Sequence, residues 1–149
     1  MTQFFRKIKI DTNDTLYSKI IRFGKTRCEM CRCVKPLQCS HIMGRGRHAT
    51  RFLIKPKPNS IALCVDCHGW FDTHKIWQLI YDERKRVFNW KEESYTFLVE
   101  KLGYTWDELQ KIHIKASGTS HYGPIEKRQK NIELKEAYSE LLEKANYRR

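Results

Sequence analysis

Two cysteine pairs of identical spacing, Cys28-Glu-Met-Cys31 and Cys64-Val-Asp-Cys67, constrain this chain more than any other feature. Each pair sets two thiols on one tight knuckle, and two knuckles together bring four sulfurs to a tetrahedral metal without straining the backbone. The N-terminal stretch MTQFFRKIKIDTND lacks a secretory apolar segment, so a reducing cytosol is expected, where six cysteines are better explained by metal than by disulfides. The expectation is a closed structural zinc site of Cys28, Cys31, Cys64 and Cys67. Cys33 and Cys39 fall outside the pairing and are expected as buried thiols, with Cys33 able to compete with Cys31 for the metal.

Around the knuckles the pattern changes twice. Leu16, Tyr17, Ile20 and Ile21 share one face of a helix over 14–23, capped by Asn13 or Asp14 and stopped by Gly24. Helical spacing then disappears from Cys28 to Ser60, where Cys33-Val34 and Leu37 to Met43 suggest two short strands followed by a long basic loop. It returns after Cys64, with Trp70, Phe71, Trp77 and Ile80 expected to be buried. Further helices are expected over 92–102, from a capping box at Thr105-Trp-Asp-Glu108, and from Pro124, after a hinge at Ala116 to Gly123. Leu134, Tyr138, Leu141 and Leu142 form an apolar stripe on the last helix, suited to packing onto the domain and less often to a dimer seam. At 149 residues and 40% apolar content the chain fits one zinc-stapled core over 28–80, with a helix over 1–27 and a helical extension over 81–149.

Lys and Arg number 29 against 17 Asp and Glu, a formal charge of +12 that points to an anionic partner, nucleic acid first. Charge alone equally fits a basic chain kept soluble by its own repulsion. No segment approaches membrane-spanning length.

Between the knuckles runs Leu37-Gln-Cys-Ser-His41-Ile-Met-Gly-Arg, and Asn59-Ser-Ile-Ala-Leu leads into Cys64-Val-Asp-Cys67-His68. With Thr50-Arg51-Phe52 between them, these stretches resemble the HNH or ββα-metal nuclease superfamily, and more closely its phage HNH and phage recombination nuclease branch. The resemblance spans about Cys28 to Lys75. It implies an α+β fold with a ββα-metal core, a DNA endonuclease activity, and a phage-encoded protein at work in the host cytosol. In its terms His41 is the general base, His68 a ligand of a catalytic divalent metal, and Asn59 a residue that ties the loop and keeps the histidine strand at its distance from the helix. A neutral imidazole near pH 7 is chemically fit to take a proton from water, and a sparsely ligated divalent cation to hold phosphate oxygens. Mg²⁺ or Mn²⁺ suits such a site best, although histidine also admits Zn²⁺ or Ni²⁺.

Ser40 stands where many members of that family carry a metal-ligating Asp or His, so a second ligand is sought on the following helix. His74 fits the Cys67-His68 to His74 pattern, whereas Asp72, four residues after His68, shares its helical face; His74 is favoured, with Asp72 as the alternative. Arg45, Arg47, His48, Arg51, Lys55 and Lys57 crowd the loop between His41 and Asn59, where they could neutralise DNA phosphates. Arg51 is expected to come closest, because a guanidinium clamps a phosphate through two donors. The competing reading is a zinc-ribbon module that binds DNA, or an interaction subunit of a larger phage assembly docked through its last helix, with weak or no catalysis; Ser40 favours it.

Overall fold

A computed structural model describes residues 11–74, 78–82, 85–89, 94, 96–118 and 121–147, and their side chains except at 74, 78–82 and 85–89. Helix α1 spans Thr12–Arg22. The Asp11 carboxylate accepts the backbone N–H groups of Asn13 and Asp14, and the Asp14 carboxylate takes the Asp11 N–H in return. This reciprocal cap satisfies donors that the first turn would leave open. It precedes the expected Asn13 or Asp14, whose side chains also serve tertiary contacts described below. Tyr17, Ile20 and Ile21 are buried on the predicted face, each worth about 1.5–3 kcal/mol of apolar transfer. Gly24, at φ +70°, takes the left-handed turn that follows.

The first knuckle closes where a strand was expected. Cys28 N–H donates to the Cys33 carbonyl and Arg32 N–H to the Cys28 carbonyl, with Arg32 at φ 64°, so Cys33 belongs to a turn and not to a strand. Strand β1 is Leu37–His41, and its partner β2 is Ser60–Cys64, on the far side of the basic loop. They pair antiparallel, with Leu37 opposite Cys64 and His41 opposite Ser60. All five residues of β2 are buried, so the alternation that marks a half-exposed strand is missing from its sequence. The knuckle docks on the other edge of β2: Glu29 N–H donates to the Ala62 carbonyl at 3.0 Å, and Glu29 Oε2 accepts the Ala62 N–H at 2.7 Å.

Helix α2, Val65–His74, leaves β2 directly through the second knuckle. It ends before the expected Ile80, which lies in β3, Gln78–Asp82, paired antiparallel with β4, Lys85–Asn89. Trp77 lies outside the described residues. The chain is thus α+β, and its β1–loop–β2–α2 order is compatible with a ββα core.

The C-terminal part completes two cores. A π-helical turn, Phe97–Lys101, ends before Gly103 at φ +73°; α3, Trp106–Ser117, carries the predicted capping box at Thr105; and α4 spans Pro124–Tyr147. Phe97, Leu98, Tyr104, Leu109 and Ile112 pack with Cys28, Ile42, Ile61, Leu63, Cys64 and Phe71 in the first core. The second joins Tyr17, Ile20, Ile21, Phe52 and Leu134, flanked by Ala137, Tyr138 and Leu141. Most of the α4 stripe therefore covers α1, and Leu142 remains 43% exposed. The expected hinge is pinned at Tyr122, which stacks on His48 and packs against Phe52. Among the described residues no helix is long and apolar enough to cross a membrane.

Candidate functional site

The sulfurs of Cys28, Cys31, Cys64 and Cys67 all lie within 4.8 Å of one another, a set that can hold a metal ion such as zinc. A thiolate is the species a metal binds. Burial pushes the Cys28 thiol up, but backbone N–H groups of Cys64, Cys31 and Met30 outweigh it and bring it below its ordinary value. Cys31 is lowered chiefly by the Cys33 thiol, and Cys64 by the backbone of Cys67. All-sulfur donors leave no open position, so this centre suits folding and not catalysis. Cys33 stays outside the group although its Sγ sits 3.0 Å from that of Cys31, a contact that, with desolvation, drives it up to about 12.

His41 ends β1, half-buried, with its ring 5.6 Å from that of Tyr17. Its Nε2 lies 3.0 Å from the Arg51 carbonyl oxygen, which can only accept. The proton therefore sits on Nε2, and in the neutral ring Nδ1 is the basic nitrogen. Asn59, fully buried, holds the other end of the loop. Its Oδ1 accepts the Met43 N–H at 2.8 Å, and its Nδ2 donates to the carbonyls of Met43 at 2.9 Å and Thr50 at 3.0 Å. One side chain thus fastens the segment leaving His41 to the segment reaching Arg51.

His68 lies on α2 across β1. Gln38 Oε1 accepts from its Nδ1 at 2.8 Å, which leaves a lone pair on Nε2, and Nε2 is 3.2 Å from Asp72 Oδ2. Two electron-pair donors facing each other at that distance make a seat for a cation, either a proton or a metal ion. Asp72, the alternative ligand, is brought to His68, whereas the side chain of the favoured His74 lies outside the described residues. Ser40 is fully buried, with its hydroxyl unpartnered among the described residues, because strand alternation turns it to the core when His41 faces out.

His41, His68 and Asp72 line one groove of about 660 Å³, together with Gln38, Arg45 and the α1 residues Asp14, Thr15, Ser18 and Arg22. Cys39 also borders it; burial raises its thiol to about 11, against the pull of the Ser60 hydroxyl and the Arg22 charge.

The basic loop divides. Arg45 lines the groove, whereas Arg47 and His48 are exposed and do not, His48 stacking on Tyr122. Arg51 does not: it is 3% exposed, its Nε donates to Asp14 Oδ1 at 3.0 Å and its Nη2 to Asp14 Oδ2, and its guanidinium lies over the rings of Phe52 and Tyr122. The two donors expected to clamp a phosphate are spent on a carboxylate inside the protein. Lys57 turns to the C-terminal part, donating to the Gly103 carbonyl and lying over the Tyr104 ring, and Lys55 borders other clefts. Neither lines the groove.

Sequence reasoning missed Gln38, Asp14 and Arg22. For Arg22 a signal was present: Thr15, Ser18 and Arg22 recur at i, i+3 and i+7, a polar stripe along the flank of the helix. Gln38 and Asp14 meet their partners only through tertiary structure. Comparison of the chain with protein-family models, curated proteins and solved structures finds no match in any of the three.

Proposed function

We propose that this chain is a metal-dependent endonuclease of the HNH kind, hydrolysing DNA phosphodiester bonds in the His41 groove. The observation that carries the reading is the convergence of His41, His68 and Asp72 on one groove edged by cationic side chains. His41 takes the proton of the attacking water at Nδ1, held in the needed tautomer by the Arg51 carbonyl. Asn59 keeps that carbonyl and the end of β1 in register, so it is a positioning residue that does not touch DNA. His68 and Asp72 would hold a divalent cation, Mg²⁺ or Mn²⁺ in first place, and Gln38, by accepting from Nδ1, selects the tautomer of the neutral His68 ring whose Nε2 can ligate. Such a cation, when bound, supplies positive charge against the charge developing on the phosphate. Zinc, held by Cys28, Cys31, Cys64 and Cys67, would tie the first knuckle to β2 and the start of α2.

One observation favours a second reading, a DNA-binding or interaction module with little catalysis: Ser40 faces the core, so the residue before the base adds no ligand. Plasmid nicking in Mg²⁺, Mn²⁺ and EDTA separates the two. The endonuclease nicks in at least one metal and not in EDTA, and His41→Ala slows it about 10²–10⁴-fold, the usual worth of a positioned base. Equal rates for wild type and His41→Ala would overturn the mechanism, and DNA binding without cleavage in any metal would establish the module.

A further inference from the structure

We infer that Arg22, with Thr15 and Ser18 beside it on α1, holds a phosphodiester group of a DNA strand in the groove that contains His41. This deepens the nuclease reading and rests on it, and it assigns to the N-terminal helix the contact that the sequence pattern gave to Arg51.

Three observations carry it. First, α1 belongs to the groove, which Thr15, Ser18 and Arg22 line together with residues of β1 and α2. Second, Arg22 is pre-set: its Nε donates to the Ser18 carbonyl at 3.2 Å and to Ser18 Oγ at 3.0 Å, which fixes the plane of the guanidinium. Neither terminal nitrogen has a hydrogen-bond partner among the described residues. An arginine held at Nε and open at its two ends offers a phosphate the paired donors that make such contacts directional, at lower entropic cost than a free side chain. Third, the charge of the groove is unbalanced. Among the described residues two carboxylates line the groove: Asp14, which Arg51 compensates, and Asp72, beside His68, which is left as the one negative charge against Arg22 and Arg45. Arg22 and Arg45 form no ion pair among the described residues, so the groove presents two unpaired guanidinium groups and a net positive charge to whatever enters it. A polyanion answers that charge, and His41 lines the same groove as both guanidinium groups.

The test is DNA binding in EDTA, by fluorescence anisotropy with a labelled duplex and a labelled single strand, using the His41→Ala protein as background so that no cleavage intervenes. Arg22→Gln should weaken binding about tenfold, the worth of one charge-assisted contact. It should also lower the slope of log K against log salt by about 0.9, the loss of one phosphate contact. The effect should be the same on unrelated sequences, because a backbone contact reads no bases. Arg22→Lys should recover part of the affinity. Lys19→Gln removes the same charge from the same helix but off the groove, and should leave both quantities near the parent values. Unchanged affinity and slope in Arg22→Gln would overturn the inference, as would equal losses in Arg22→Gln and Lys19→Gln, which would mean diffuse attraction only. If the parent protein binds no DNA at all, this inference fails with the nuclease reading; if it binds and only Arg22 proves silent, the nuclease reading stands alone. Thermal melts of each variant confirm that it is folded.

Discussion

Two halves of the molecule meet at the groove, and they are held together by different physics. On one side the knuckles, β1, β2 and α2 close around four thiols and a core reaching to Ile112. On the other, α1, α4 and the Phe52 region join through a smaller core and a buried polar seam. In that seam Asn13 Nδ2 donates to Tyr122 Oη and the Lys127 carbonyl, Asn131 Nδ2 donates to Asn13 Oδ1, and the Tyr122 hydroxyl donates to Asp11. The first half gathers four thiols where one bound metal ion would concentrate its stability. The second spreads it over a net in which every polar atom depends on another. The difference teaches that each wall of the site can be loosened separately, by disrupting the thiol cluster in one case and by removing the carboxylate nearest a buried guanidinium in the other.

The largest effect should come from the thiol centre. Structural zinc contributes about 10–16 kcal/mol in small domains, so chelation, or Cys64→Ser, should abolish hydrogen-exchange protection in β1 and β2. If the halves are separable, amides of α1 and α4 keep part of theirs; simultaneous loss would make the molecule one cooperative unit and break the comparison. A smaller effect is expected at Asp14→Ala, which removes the nearest carboxylate from the buried Arg51 guanidinium and leaves Asp11, at 4.0 Å, as a weaker counter-charge. Breaking a buried pair from one side costs about 3–5 kcal/mol, readable as a lower urea midpoint. Asp14→Leu combined with Arg51→Met should recover most of that loss, and failure to recover would show that the cost lies in packing.

The smallest effect concerns acidity. His113 of α3 is held below its ordinary value of 6.5 by burial and then by the Arg47 charge. Its contribution is full above pH 6.5 and is lost as pH falls towards its lower folded value, since the unfolded chain takes the proton first. The melting temperature of wild type should therefore drop more steeply between pH 7 and pH 5 than that of His113→Leu; parallel profiles would exclude His113 as the source.

What could be read from sequence follows the range of the interaction. The cysteine knuckles, the Thr105 cap, the α1 face and the α4 stripe are patterns within one or two turns of chain, and they lie where local spacing puts them. Ser60–Cys64 hid as a strand because a segment buried on both faces shows no alternation. The β3–β4 hairpin was masked by apolar residues that fit a continued helix equally well. Arg51 is the instructive error: its loop is basic and its type suits phosphate, but nothing near it in sequence reveals that Asp14 would reach it first. Asp72 is the opposite case, in which plain helical arithmetic, four residues on from His68, placed it beside that ring.

The hydrogen bond from His41 to the Arg51 carbonyl has a consequence for modularity. Arg51 is anchored by Asp14 from before the cysteine core and by Tyr122 from well after it, so the setting of the imidazole is written outside the β1–β2–α2 unit. That unit is not a portable cassette. Grafted alone onto another scaffold, residues 28–74 would carry the histidines and the thiols but leave behind the parts that aim the ring.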